Sequence, residues 1–265
     1  MIHPCPTIGP VQCIAIEGAG ARRFAQAQFS GNVDALAPGH WQWNAWLTPQ
    51  GRVRALMHLV DTGDGNLLAV LRGGDAQEIR AALSRYLLRS PVTLAVREFG
   101  CRADGPVDSG AVAGDGGDIV LGYGSRSLRL GATANTQADP AASIAWRIQD
   151  IREGWPRLPA GEPELLPPAL GLEHLQAVSF DKGCYPGQEI AARLRYRGGH
   201  KHRLYHLQAH ASMLEDAAAF PQEIKPLDVA TDGGEIHALA VGPVDLPDEI
   251  PAPGGSFRVA SRFGP

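Results

Sequence analysis

The sequence has 265 residues, of which 44% are hydrophobic and 20% charged, and its formal net charge is −4. This composition supplies enough apolar side chains for a buried core, which excludes an intrinsically disordered chain. No apolar run reaches the roughly 20 residues of a membrane helix, and the acidic balance disfavours a generally basic nucleic-acid-binding protein. The first residues lack the basic start and apolar middle of a signal peptide, so we expect a cytoplasmic protein without a membrane partner.

The first third of the chain alternates between runs typical of strands and of helices. Residues 11–16 predict a short strand, and residues 41–47 alternate large apolar with polar side chains, as a half-buried strand does. The runs 53–60 and 67–71 flank a turn rich in Asp and Gly, which predicts a β-hairpin. Residues 75–89 predict a helix, with a capping box at its start and one apolar stripe along its length.

Short runs separated by Gly and Pro make up most of the remaining sequence. Residues 100–118 are rich in Gly and Asp and predict a loop, which two short strands near 119–130 follow. Residues 144–151 predict an amphipathic element, and residues 202–265 predict a small all-β module. Because strands and helices mix without a regular βαβ alternation, we expect an α+β fold.

The cysteine and histidine pattern predicts no metal site. Cys5, Cys13, Cys101 and Cys184 include no C-x-x-C pair, which disfavours a disulfide framework and a self-contained zinc or iron–sulfur site. The nine histidines show no H-x-x-x-H spacing, and His58 lies in an apolar run that favours a core or surface residue over a ligand.

Residues 180–189 are the segment richest in chemically specialised side chains. Gly and Pro constrain the backbone around Cys184, Lys182 lies two residues before it, and Arg193 and Arg195 follow. Nearby cations favour a thiolate over a thiol, which makes a cysteine more reactive. The alternative is a tight turn with an inert cysteine, and the residues alone leave both interpretations open.

Arginine alternates with other residues over 193–197. On a strand the three arginines would share one face, and further cationic side chains follow at 200–203. Such a face suits carboxylates, which pair with guanidinium groups in a fork, or RNA phosphates, with Tyr196 available for stacking. A simple solvated strand face is the third interpretation, and all three stay open.

Residues 182–189 read K-G-C-Y-P-G-Q-E. They match the signature K-G-C-Y-x-G-Q-E, so the chain resembles the YgfZ family of folate-binding proteins, which are relatives of the glycine-cleavage T protein. Residues 28–34 and 48–52 are similar, more weakly, to a helix end and a Gly-containing turn of that family. Trp146 matches a tryptophan that the family associates with folate contact.

The resemblance implies an aminomethyltransferase-like fold, in which a ring of subdomains surrounds a folate cavity. The folate-binding domain would span residues 1–200, and a small C-terminal β-barrel would span residues 201–265. The implied cofactor is tetrahydrofolate or another reduced folate. The implied function is that of an accessory protein for iron–sulfur cluster assembly or repair, with client enzymes or assembly proteins as partners, including enzymes of tRNA modification.

Site residues follow from the same resemblance. Cys184 would be the reactive thiol, and the indole of Trp146 would stack on the flat pterin. A core tryptophan on an amphipathic element is the alternative interpretation of Trp146. We further expect these two side chains to face one common hollow. The expected folate-binding residues are Trp146, Arg193, Arg195, Lys182 and Gln188.

Two positions depart from the family pattern. Ala55 lies where the T protein has an acid that handles the reactive folate nitrogen, and a methyl group cannot hold a proton. Val11 lies where the family often has a tryptophan. An ordinary aminomethyltransferase is therefore not expected, although a folate-dependent one-carbon transferase stays open as an alternative. The other alternative is an RNA- or protein-binding module that acts through residues 193–203 without folate.

Overall fold

Two antiparallel sheets organise the protein, for which a computed structural model describes residues 5–115, 117–132, 137–159, 161, 165–215 and 220–264. The larger sheet consists of β1 (Thr7–Glu17), β2 (Trp41–Leu47), β3 (Val53–Asp61), β4 (Leu67–Leu71), β5 (Thr93–Asp104), β6 (Val112–Asp115), β7 (Asp118–Gly122) and β8 (Ser127–Gly131). Its strand order is β2-β3-β4-β1-β5-β8-β7-β6. The long strand β1 pairs with β4 on one side and β5 on the other, so it joins the two halves of the sheet.

The central strands of this sheet are buried on both faces. Helices α1 (Ala21–Gln28) and α2 (Ala76–Ser84) cover one face, and a second hydrophobic core covers the other. The prediction of a half-buried strand at 41–47 is therefore wrong in its burial, although the strand itself is present. Even the polar Asn44 is fully buried, and its Oδ1 accepts a hydrogen bond from the backbone N–H of Gly31 at 2.8 Å.

The second sheet has its own hydrophobic core and contains the C-terminal strands. They are β9 (His202–His210), β10 (Lys225–Asp232), β11 (Glu235–Pro243), β12 (Glu249–Ala252) and β13 (Gly255–Phe263), in the order β10-β11-β9-β13-β12. The expected all-β module is thus present. The division of the chain between residues 200 and 201 stays a prediction.

Helix α3 (Pro140–Arg152) lies between the two sheets. The Asp139 carboxylate caps its first turn by accepting from the N–H of Ala141 at 2.9 Å, and Pro140 suits the first helical position. Ile151 packs against Leu204 of the second sheet, while Trp146 belongs to the core of the larger sheet. The helix therefore fixes the two sheets relative to each other.

The predicted strand at 193–197 is wrong, because these residues form the end of helix α4 (Gln188–Arg197). Strong helix formers fill most of the segment, and a basic last turn suits the negative end of the helix dipole. Arg193 and Arg195 are about 200° apart around a helix of 3.6 residues per turn. They consequently do not share a face.

Two further predictions need correction. The helix expected at 75–89 is capped by Asp75 as predicted but ends at Ser84. Within the expected range, Leu88 and Arg89 adopt φ angles of 22° and 64° that a helix cannot hold. The loop expected at 100–118 instead contains the end of β5 and the strand β6. None of the helices in the described ranges is both long enough and apolar enough to cross a membrane.

A buried histidine pair in the second sheet predicts a pH-dependent stability. His206 Nε2 lies 3.0 Å from His237 Nδ1 on the neighbouring strand, and both side chains are buried. Burial lowers the pKa of His206 from 6.5 to about 4 and also lowers the pKa of His237. The unfolded chain then binds protons more readily than the folded one below pH 6.5, so stability decreases as the pH falls.

We expect the free energy of unfolding to decrease by up to about 3 kcal/mol between pH 6.5 and pH 4 because of this pair. Urea unfolding at several pH values measures it. His206→Gln should flatten the dependence, whereas the exposed control His202→Gln should leave it unchanged. Equal pH slopes in all three proteins would contradict the prediction.

Candidate functional site

A cavity of about 340 Å³, which we call the central cavity, is lined by residues of both sheets. Strands β1, β3 and β4, helix α3 and strand β10 all contribute to its walls. The lining includes Val11, His58, Arg72, Trp146, Arg157 and Asp228. The cavity is therefore assembled from parts of the chain that lie far apart in sequence.

Trp146 lies on this wall, and its contact with a bound pterin stays a prediction. Its side chain is almost completely buried, and the guanidinium carbon of Arg126 lies 4.3 Å from the indole ring centroid. Tyr123 packs beside it, with ring centroids 5.9 Å apart. The cation and the neighbouring ring hold the indole in one orientation.

A buried ionic cluster supports the same region. The carboxylate of Asp150, 1% exposed, accepts from Arg72 Nη2 at 2.8 Å and from Arg126 Nη2 at 2.9 Å. Arg126 also contacts Glu153 at 2.7 Å, and Arg157 Nη2 lies 3.9 Å from Asp150. Sequence reasoning missed this cluster because its members are scattered over the chain and form no motif.

His58 is also on the cavity wall, which the sequence did not indicate. The side chain is fully buried, its Nδ1 lies 2.9 Å from the hydroxyl of Tyr123, and Trp41 and Trp43 pack against its ring. Burial lowers its pKa well below 6.5, and nearby arginines lower it further, so the imidazole is neutral. Its Nε2 is buried without a hydrogen-bond partner among the described residues.

The signature segment 182–189 lies outside the lining of the central cavity. It contacts the two segments that resemble the family more weakly, residues 28–34 and 48–52. The ammonium of Lys182 donates to the carbonyls of Gln26, Phe29 and Gly31 at 2.6, 2.6 and 2.9 Å. Burial lowers the pKa of Lys182 to about 8. Because all three of its N–H groups have acceptors, Lys182 fixes this segment to the end of α1.

Two glycines allow the signature segment to contact the turn at 48–52. Gly187 has a φ of 78°, and a Cβ there would lie 2.5 Å from the carbonyl oxygen of Thr48. Gly51 has a φ of 77°, and a Cβ there would lie 2.8 Å from the Cβ of Ile190. The three segments similar to the family, at 28–34, 48–52 and 182–189, therefore meet in space.

Cys184 of the signature segment is exposed. It lines a groove of about 550 Å³ that we call the Cys184 groove. Pro49, Phe180, Gln188 and Tyr196 line the groove. The other thiols are less accessible. Cys13 and Cys101 are buried, and burial raises the pKa of Cys101 to about 12. Cys184 is thus the thiol best placed to react with another molecule.

Trp146 and Cys184 do not share a hollow, so the expected convergence is wrong. Trp146 lines the central cavity and Cys184 lines its own groove, although Trp146 and Tyr185 belong to one hydrophobic core. The reason is that Lys182 and Gly187 tie the signature segment to α1 and to the turn at 48–52.

The remaining predicted folate-binding residues also lie outside the central cavity lining. Arg195 pairs with Glu173 at 2.8 Å and packs over Phe180, Arg193 is exposed on α4, and Gln188 lines the Cys184 groove. The arginines that line the cavity are Arg72, Arg147 and Arg157.

The two positions that depart from the family pattern fall on different faces. Val11 lines the central cavity, as expected for a wall residue. Ala55 packs in the core on the opposite face of the sheet, so β3 presents His58 to the cavity instead. The alignment of Ala55 with a cavity acid therefore does not agree with the structure.

Comparison with known proteins finds relatives that cover about three quarters of this chain. No protein-family model matches the sequence. An uncharacterised protein of Haemophilus influenzae is 29% identical over 201 residues, covering 73% of this chain and 69% of its own length. The tRNA-modifying protein YgfZ of Vibrio vulnificus is 27% identical over 216 residues, with 73% and 66% coverage. The Escherichia coli protein of that name is 28% identical over 231 residues, with 76% and 71% coverage.

The fold has a solved counterpart. The glycine cleavage system aminomethyltransferase T of Bartonella henselae superposes with a TM-score of 0.68 over 98% of this chain and 84% of that one, at 13% sequence identity. The expected aminomethyltransferase-like α+β fold is thus confirmed. Together with the signature at 182–189, these comparisons make the chain similar in sequence to the YgfZ proteins and similar in fold to aminomethyltransferase T.

Proposed function

We propose that this protein binds a reduced folate in the central cavity and acts as an accessory protein in the assembly or repair of iron–sulfur enzymes, including enzymes of tRNA modification. One observation carries the proposal: a cavity of about 340 Å³ with an indole on its wall, in a fold shared with an aminomethyltransferase. That volume lies within the range of small-molecule sites. It suits a pteridine and its adjoining ring, with the glutamyl tail at the opening.

The residues of the cavity fit such a ligand. A pteridine is flat and carries donors and acceptors on its edge, so it needs an aromatic surface and both kinds of partner. Trp146 supplies the surface. Asp228, whose Oδ1 accepts from Arg147 Nε at 3.0 Å, supplies an acceptor, and Arg72 supplies donors. A bound reduced folate would bring a nitrogen that carries one-carbon units.

A one-carbon transferase is the second candidate and has less support. Aminomethyl transfer needs an acid or base beside the folate nitrogen. The carboxylate on the cavity wall is that of Asp228, which Arg147 already engages, and His58 is neutral. We therefore propose that the folate is bound without ordinary aminomethyl transfer.

Cys184 would act on a partner protein. A single thiolate cannot hold a cluster that needs four ligands, so we propose a transient contact in which the client or an assembly protein supplies the others. Phe180 and Tyr196 in the Cys184 groove offer apolar surface for that contact. The RNA-binding alternative loses its main argument, since Arg193 and Arg195 lie on a helix and Arg195 is paired with Glu173.

Titration calorimetry with tetrahydrofolate tests the cavity assignment. We expect saturable binding by the wild type and at least about ten-fold weaker binding by Trp146→Ala, because a stacking surface worth about 1.4 kcal/mol is lost. Trp146→Phe, which keeps an aromatic ring, should retain most of the affinity and controls for the loss of packing.

Cys184→Ser, in the Cys184 groove, is the matched control for the variants in the central cavity. It should bind tetrahydrofolate like the wild type, yet fail to restore the activity of an iron–sulfur tRNA-modifying enzyme in cells that lack this protein. The folate proposal fails if the wild type shows no saturable binding, or if Trp146→Ala binds like the wild type. Full restoration by Cys184→Ser would remove the role of the thiol.

A further inference from the structure

The wall of the central cavity contains hydrogen-bond donors that no acceptor in the described residues satisfies. His58 Nε2 and Arg157 Nε are both buried without a partner. Both side chains line the cavity, as does Arg72, which is 5% exposed. We call His58, Arg72 and Arg157 the donor wall. Buried polar groups are nearly always hydrogen-bonded, so unpartnered ones facing a cavity are available to bind a ligand.

The tautomer of His58 follows from its contact with Tyr123. A phenol has a single hydrogen. If that hydrogen is donated to Nδ1, Nε2 carries the imidazole hydrogen and one donor stays unsatisfied. In the other tautomer, both Nε2 and the Tyr123 hydroxyl hydrogen lack partners, which costs more. His58 thus presents an N–H donor at Nε2.

The charges around Asp150 favour a ligand that brings a negatively charged oxygen to the donor wall. Three guanidinium groups, those of Arg72, Arg126 and Arg157, surround the buried carboxylate of Asp150. Glu153 compensates Arg126 from a partly exposed position. Arg157 reaches Asp150 only at 3.9 Å, and the repulsion from Arg72 lowers the pKa of Arg157. An acceptor oxygen that carries negative charge would relieve this repulsion.

We propose that the donor wall is a subsite for a charged or strongly polarised oxygen of the ligand, bound by His58 Nε2, Arg72 and Arg157. The inference rests on the proposed function and extends it to ligand selection. On a reduced folate, such an oxygen is either that of a formyl group on the one-carbon-carrying nitrogen, or one that all reduced folates share, such as a carboxylate of the glutamyl tail or the carbonyl of the pterin ring. Methyl and methylene groups offer no acceptor and would gain nothing from this wall.

Arg157→Gln is the most informative variant, because it should weaken ligand binding without lowering the melting temperature. The side chain is 41% exposed and is repelled by Arg72, so its replacement should leave the melting temperature unchanged or raised. Binding of the oxygen-bearing ligand should weaken about 30-fold, as expected for a lost hydrogen bond to a charged group. Arg193→Gln, an exposed arginine outside the cavity lining, is the matched control.

Calorimetry with tetrahydrofolate and with 5-formyltetrahydrofolate separates the two sources. If Arg157→Gln weakens only the formyl ligand, the formyl oxygen occupies the subsite. If it weakens both ligands to the same extent, an oxygen that the two ligands share, such as a tail carboxylate or the pterin carbonyl, occupies it. Unchanged affinity for both ligands, while the wild type binds them, overturns the subsite and leaves the proposed function standing. Absence of binding by the wild type overturns the proposed function and this inference with it.

Discussion

Asp150→Ala is expected to destabilise the protein by about 3–5 kcal/mol, the usual effect of removing one partner from a buried ion pair. The carboxylate is 1% exposed and accepts from both Arg72 and Arg126. Without it, Arg72, Arg126 and Arg157 would remain close together with no buried counter-charge. Leaving a desolvated charge unpaired costs far more than the pair gains when intact.

Chemical denaturation measures this effect, and Asp248→Ala provides the contrast. Asp248 also contacts an arginine, with its Oδ1 2.7 Å from Arg262 Nη2, but its side chain is 86% exposed. An exposed pair contributes about 0–1 kcal/mol, so this variant should stay close to the wild type. Similar losses in Asp150→Ala and Asp248→Ala would show that the cluster at the cavity has no special role in stability.

Gly187→Ala is expected to destabilise the protein by about 3 kcal/mol and to disturb the position of Cys184. The φ of 78° is costly for alanine, and its Cβ would lie 2.5 Å from the carbonyl oxygen of Thr48 and 2.9 Å from the Cα of Gly51. Because these neighbours are backbone atoms, they cannot rotate away. The turn at 48–52 must therefore separate from the signature segment.

Gly183→Ala is the matched control within the same eight-residue signature. A Cβ at Gly183 would meet no atom within 4 Å, and its backbone is not left-handed. Its stability should lie within about 0.5 kcal/mol of the wild type. Denaturation curves and the rate of Cys184 alkylation measure both variants. The packing argument is wrong if Gly187→Ala unfolds at the same denaturant concentration as Gly183→Ala.

Local signals in the sequence predicted local structure well. The cap at Asp75 and the hairpin of β3 and β4 both depend on residues close together in the chain. The error at 193–197 has a local cause too. Alternation over five residues fits a strand, but the helix formers before it and Gly187 at its start decide the conformation.

The candidate site was harder to predict because it depends on distant residues. Trp146 was found through resemblance, yet Arg72, Arg157 and His58 carry no motif and meet at the cavity only after the sheets and α3 have packed. Lys182 shows the reverse case. Its place in a signature suggested ligand binding, whereas three backbone carbonyls take up its donors.

The separation of the central cavity from the Cys184 groove has a consequence for how the protein could work. A small molecule in one and a protein docked at the other do not compete for space, so a ternary complex is sterically allowed. Trp146 and Tyr185 nevertheless belong to one packed interior. Any influence of cavity occupancy on the thiol must travel through that shared interior, and it must act equally in the opposite direction.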